Sequence, residues 1–294
     1  KLMVHTVDYF RSMVDDPYVF GKIAANHSLG DIYAMGAEPQ TALAIATVPF
    51  GIESKVEDTL TQMMAGAMEI LNDANCALVG GHTSEGPELS LGFAVNGLID
   101  RDSIMRKGGL RAGDKLIVTK PIGTGTLFAA DMRHKAKGRW IAAALDHMAM
   151  SNRKGADCLV AHGSRAATDI TGFGLLGHLV EMVRASGVDV VLDLDSVPLM
   201  DGAAETVKAG IVSSLQPQNV RLRRAVANQE EAGRAPRYPL IYDPQTAGGL
   251  LARVPADRAD DCVAALKALG YERTMIVGEV LPQSDRLEPI TVRV

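Results

Sequence analysis

Cysteine is scarce. Cys76, Cys158 and Cys262 are the three in 294 residues, odd in number and far apart along the chain. That pattern fits reduced cytosolic thiols better than a disulfide framework or a zinc site. Basic excess is also missing: 30 Lys and Arg face 35 Asp and Glu, for a net charge of −5. A nucleic-acid partner, which favours a basic face, is therefore not expected. No apolar run reaches membrane-spanning length, and the first residues lack the basic, apolar and small-residue order of a signal peptide. No membrane association is expected, and the location expected is cytoplasmic. A Walker A sequence is absent too, because Lys120 in "TKPIGTGT" precedes its glycines. Any ATP site here is not of the P-loop kind. What remains is 47% apolar and 22% charged, the profile of a soluble globular enzyme or binding protein.

Strand and helix signals alternate throughout. Residues 2–10 read as a strand that carries Asp8. Asp16 and Pro17 then mark a helix start, and the run closes near Gly36. "TALAIATVPF" is a second strand. Residues 54–75 form an amphipathic helix with Val56, Leu60, Met63, Met64, Ala67 and Leu71 on one stripe. "CALVGGHTSEGPELSLGFAVNGLI" reads as strand, glycine-containing loop, strand. The polar stretch "DRDSIMRKGGLRAGD" separates two halves, giving domains 1–112 and 113–294. The second half holds strand "KLIVTK", helices around 126–133, 139–149 and 152–162, and a helix ending near Ser186. Strand "VDVVLDL", a mixed region to about 238, a helix at 257–269 and strand "TMIVGEV" complete it. Two domains of the α/β or α+β class follow.

"DITGFGLLGH" places Gly172, Gly174 and Gly177 on a G-x-G-x-x-G spacing. A dinucleotide fold needs a buried apolar parallel strand before such glycines, and "GSRAATD" is small and polar. Asp169 stands at the head of the loop, where a bare carboxylate beside a pyrophosphate requires an intervening cation. The dinucleotide reading is rejected, and Asp169 becomes a candidate metal ligand. Asp8 in "HTVDYF" and Asp31 in "HSLGDIYAMG" are similar acids in apolar settings with no adjacent Lys or Arg. Carboxylates gathered without basic partners repel one another unless a divalent cation sits between them. Oxygen ligands with bound phosphates suit Mg²⁺. Each aspartate taken alone fits a helix cap or strand end equally well. In "VGGHTSEGPE", Gly80 and Gly81 allow backbone N–H groups to approach an anion, while His82 and Thr83 can donate. From that stretch alone a plain turn between strands is the simpler reading.

Taken together, "TVDYF…DDPYVFGKIAANHSLGDIYAMGA", "VGGHTSEGPE", "TDITGFGLLGH" and "DPQTAGGLL" resemble the selenophosphate synthetase (selenide, water dikinase) family, from about residue 4 to about 280. That family sits in a wider group with aminoimidazole ribonucleotide synthetase, thiamine-monophosphate kinase and a hydrogenase-maturation ATPase. The resemblance implies a two-domain aminoimidazole ribonucleotide synthetase-like fold whose N-terminal sheet joins its twin in a dimer barrel. It implies synthesis of selenophosphate from selenide and ATP, with AMP and orthophosphate released and Mg²⁺ required. Asp8, Asp31 and Asp169 would be metal ligands, with Asp8 and Asp31 also at the nucleotide. Gly81, His82 and Thr83 would reach ATP from the neighbouring subunit of a homodimer.

The family's reactive cysteine or selenocysteine and its lysine lie upstream of the "TVDYF" strand, a region this sequence does not contain. The chain is accordingly read as N-terminally truncated, with weak ATP binding and little turnover expected. The three cysteines present are read as core residues, not substitutes. Three alternatives stay open at this stage. They are another ATP-dependent kinase or maturation ATPase of the group, a non-catalytic dimerisation module of a fusion, and an NAD-dependent enzyme.

Overall fold

The computed structural model describes all residues, 1–294. The chain divides into two compact units, Lys1–Ile104 with Met148–Arg153, and Met105–His147 with Lys154–Val294. The first contains β1 (Leu2–Arg11), α1 (Pro17–Ala34), β2 (Glu38–Pro49), α2 (Glu53–Asp73), β3 (Ala77–Gly86) and β4 (Ser90–Ile99). Its sheet runs β1-β4-β2-β3, with β2 and β3 parallel and the other pairs antiparallel. Helix α1 starts where Asp16 accepts from the Val19 N–H at 3.1 Å and Pro17 supplies the first turn. It is buried along most of its length, through Phe20, Ile23, Leu29 and Ile32. Helix α2 turns Met63, Ala67 and Leu71 of the expected stripe inward.

The two helices cross unusually closely because of two glycines. A Cβ at Gly21 would lie 1.9 Å from the Met63 carbonyl oxygen, and one at Gly66 would lie 2.0 Å from that of Tyr18. Gly21→Ala is therefore expected to lower the unfolding free energy by on the order of 3 kcal/mol, since backbone cannot yield as a side chain does. The urea midpoint measures it; an unchanged midpoint contradicts the close crossing.

Two sequence expectations are corrected here. The glycine-containing "loop" at 80–83 is the middle of β3, and the turn to β4 comes only after Gly86. A register shift between Ala42 and Leu43 and the backbone of Ala44, 2.2 Å from a Cβ at Gly81, explain the glycines structurally. The residues before the Gly172 loop are also a strand, the short buried segment Ala167–Asp169.

That segment is β6 in the second unit, where β5 (Lys115–Val118), α3 (Thr124–Asp131), α4 (Gly138–Ala149) and α5 (Arg153–Ala161) precede it. After it come α6 (Gly174–Ser186), β7 (Asp189–Asp193) and short helices α7 (Ala203–Lys208), α8 (Gln216–Asn219) and α9 (Gln229–Ala232). Strand β8 (Leu250–Val254), α10 (Ala259–Ala268), β9 (Met275–Leu281) and β10 (Ile290–Arg293) finish the chain. The six strands run β10-β7-β9-β5-β8-β6, parallel only at β10-β7. β6 pairs antiparallel with β8, so the parallel sheet that a dinucleotide fingerprint requires is not there. The last residues of α4, which follow His147, cluster with the first unit: Asn26 Nδ2 donates to the Met148 and Met150 carbonyls at 2.7 and 2.9 Å.

Candidate functional site

Strand alternation puts Thr6, Asp8 and Phe10 on the face of β1 that meets α1. One helical turn separates His27 from Asp31, so both look back at that strand. The result is a small polar centre in an otherwise apolar layer. The Thr6 hydroxyl donates to Asp31. His27 Nε2 lies 3.7 Å from Asp8 Oδ1, and the His27 ring stands edge-on to Phe10 at 4.9 Å. The Asp8 and Asp31 carboxyls lie close enough for the charge of Asp8 to act on Asp31.

Such crowding splits the two acids. Burial, followed by the charge of Asp8, raises the Asp31 pKa, and the Thr6 hydrogen bond only partly opposes this. Burial works against ionisation of Asp8 as well, but the hydrogen bond and charge of His27 outweigh it and hold Asp8 below the usual range. The donors are carboxylate and hydroxyl oxygens with no sulfur among them, a set suited to a hard cation such as Mg²⁺. Thr6 and His27 were missed in the sequence, although they lie two and four residues from the aspartates within the quoted motifs.

Asp169 ends β6 in the second unit and is buried. The sequence showed no basic neighbour, but the fold supplies one. Lys120 is completely buried, bonds the carbonyls of His147 and Ala247 at 3.3 and 3.2 Å, and feels the charge of Asp169. Burial depresses its ammonium to about 7, with Asp169 opposing that fall. The expectation that Asp8 and Asp31 stand without an adjacent Lys or Arg holds, but the fold adds His27 beside Asp8 and sets Lys120 near Asp169. Lysine is rarely buried to this degree, so no sequence signal marked it.

The loop after Asp169 is held from inside the protein. The Thr171 N–H donates to His178 Nε2 at 3.0 Å, and Gly174 takes φ +70° to start α6. A Cβ at Gly174 would sit 2.8 Å from the Tyr242 carbonyl carbon. Burial drives the His178 pKa down to about 4. The folded state thus prefers the neutral ring, and unfolding takes up a proton between about 6.5 and 4. Stability contributed by His178, on the order of 3 kcal/mol, is present above that window and lost as pH falls through it. His178→Gln is expected to flatten this part of the acid stability profile; an unchanged slope in thermal melts from pH 7 to 4 contradicts it.

"DPQTAGGLL" and "PIGTG" form one hydrogen-bonded unit. Gln245 Oε1 accepts from the Gly123 and Thr124 N–H groups at 2.8 and 3.1 Å, and Asp243 Oδ2 accepts from Gly125 at 3.0 Å. Both side chains thereby satisfy the open start of α3.

Gly81, His82 and Thr83 lie elsewhere in the first unit. Asp8 pairs with Phe93, Phe93 with Ala44, and Ala44 with Gly81. Asp8 and Gly81 thus occupy one row at opposite edges of the sheet, three strand spacings or roughly 14 Å apart. His82 and Thr83 are exposed. Within a single chain the structure joins Asp8 to Asp31 but not to the β3 residues.

Comparison with known proteins places this geometry. Residues 1–99 match the AIR synthase related protein, N-terminal domain family, and residues 111–288 match the AIR synthase related protein, C-terminal domain family. Among solved structures, thiamine-monophosphate kinase from Stenotrophomonas maltophilia superposes with a TM-score of 0.71 at 20% identity, covering 99% of this chain and 85% of that one. Hydrogenase maturation protein HypE in complex with ATP gives 0.72 at 19% identity, covering 96% and 77%. Those likenesses establish the two-domain aminoimidazole ribonucleotide synthetase-like fold. Sequence similarity goes further. The selenide, water dikinase of Pelobacter propionicus is 40% identical over 292 residues, spanning 99% of this chain and 82% of the relative. That of Geobacter metallireducens is 39% identical over 280 residues, spanning 95% and 80%. With identity of this extent over nearly the whole chain, the chain belongs to the selenide, water dikinase family.

Proposed function

We propose that the Asp8–Asp31 centre of the first unit holds Mg²⁺ and the polyphosphate of ATP for the synthesis of selenophosphate from selenide, and that Asp169 of the second unit is likewise a metal ligand. Family membership supports the reaction, with AMP and orthophosphate as the other products. The single observation that carries the site is the pairing of two partly buried carboxyls, placed so that burial and the charge of Asp8 raise the Asp31 pKa. Bound there, Mg²⁺ would offset polyphosphate charge and orient the γ-phosphoryl. The protein's own part is positioning. Thr6 fixes the Asp31 carboxylate, His27 keeps Asp8 ionised, and the apolar flank of Phe10 and Phe20 limits water. Lys120, buried behind Asp169, orients that carboxylate from within its own unit.

The chain works as a homodimer with ATP shared between subunits. Two features support this. Gly81, His82 and Thr83 lie too far from Asp8 to serve the same nucleotide phosphates within one chain. The sheet face opposite the helices also carries apolar side chains in open solvent, among them Val7 at 61% and Leu43 at 44% exposure, both in register with Ala94. A second copy laid on that face would cover these side chains.

Phosphorus NMR of the full-length protein with ATP, Mg²⁺ and selenide tests the function. A selenium-coupled phosphorus signal together with AMP is expected. ATP cleavage with no such signal would overturn the selenide assignment.

A further inference from the structure

Two of the three cysteines, far apart in sequence, meet in the second unit. Helix α5 carries Cys158, and His162 follows one turn later; α10 brings Cys262 against them. One donor atom from each residue lies within 4.8 Å of the others. His162 Nδ1 is 3.6 Å from Cys158 Sγ and 2.8 Å from the Cys158 carbonyl oxygen, which keeps the ring beside the sulfur. Cys262 is fully buried, Cys158 nearly so, and His162 is half-buried, giving the cluster one side toward solvent.

We propose that Cys158, His162 and Cys262 form a binding site for a thiophilic divalent cation of the Zn²⁺ class. Two thiolates and one imidazole are borderline-soft donors that a hard ion such as Mg²⁺ does not seek. Three protein ligands leave a fourth tetrahedral position open on the His162 side. Zinc–sulfur bonds of about 2.3 Å set tetrahedral donors roughly 3.8 Å apart, so the cluster needs to contract by no more than about 1 Å. Binding balances simply. The two thiol protons leave to solvent, and both sulfurs and one unprotonated ring nitrogen donate to the metal. The neutral ring keeps its one proton on the other nitrogen (Nδ1 giving up its bond to the Cys158 carbonyl if it is the ligand), and nothing is oxidised. Burial pushes the Cys262 thiol up to about 12 and raises that of Cys158, so the metal-free pair is protonated and affinity rises with pH. The site shares no ligand with the carboxylate centre.

Co²⁺ titration of the chelator-stripped, fully reduced protein tests the site. One equivalent is expected to give tetrahedral visible bands and a near-ultraviolet thiolate-to-cobalt charge-transfer band, both removed by Zn²⁺. Cobalt held by the aspartates gives no thiolate band, so the two sites are distinguished by spectrum. Cys262→Ser should lose the band, and Cys76→Ser should keep it. His162→Ala, which alters a half-buried residue and spares the core, should weaken Co²⁺ binding at least about tenfold. No charge-transfer band at one equivalent with all thiols reduced would overturn the proposal, as would a band that survives in the Cys158→Ser, Cys262→Ser double variant.

Discussion

Asp31→Asn in the full-length protein is expected to reduce selenophosphate formation at least about a thousandfold, roughly 4 kcal/mol of transition-state stabilisation. The same substitution should leave the metal-free protein as stable as before, or more so. The reason lies in the geometry around β1 and α1. Asp31 stands near Asp8, supported by the Thr6 hydroxyl and more weakly by His27, and burial already opposes its charge. An amide keeps the acceptor for Thr6 and removes the repulsion, so folding loses nothing while the proposed cation site loses a ligand. Activity assays paired with thermal melts in chelator separate this outcome from a structural role. If activity and metal-free stability fall together, Asp31 is a packing residue. If activity survives, the carboxylate does not serve the metal.

Val7→Lys combined with Leu43→Glu should convert the proposed homodimer to a folded monomer that no longer binds Mg²⁺-ATP. Both side chains are exposed in one chain, so the changes cost little to the monomer fold, whereas charges buried on the open face of the sheet stop a second copy from settling. Light scattering after size exclusion reads the mass, and calorimetry reads the nucleotide. Mixed dimers extend the test. A subunit carrying Asp31→Asn and one with its β3 contacts disabled by Thr83→Val should together form one intact site, recovering up to about half the activity of the intact dimer, as shared sites require. A monomeric protein that binds Mg²⁺-ATP normally would show that β3 of a partner is not needed.

Much of the fold could be read from local signals, and the losses have identifiable causes. Asp16-Pro17 and the Met63–Ala67–Leu71 stripe are helix signals that need no tertiary context, and both helices lie where the sequence put them. The sequence reading ends strand β3 early, at Gly80–Gly81, because glycine pairs read as turns, whereas the pairing with β2 that keeps this strand extended is non-local. Segments of three or four residues such as β6 and β10 are too short for periodicity to register. At the site, the aspartates stood out as acids in apolar settings, but their neighbours did not. His27 and Thr6 are common residue types on an expected helix and strand. Lys120 acquires its character only from complete burial, and the meeting of Cys158 with Cys262 depends on how α10 packs.

Mn²⁺ titration followed by electron paramagnetic resonance, with a non-hydrolysable ATP analogue present, tests the carboxylate centre most directly. The wild-type protein should quench the free Mn²⁺ signal stoichiometrically, and the Asp8→Asn, Asp31→Asn double variant should leave that signal in solution. Equal quenching by the two proteins would mean that these acids meet for some purpose other than holding a metal.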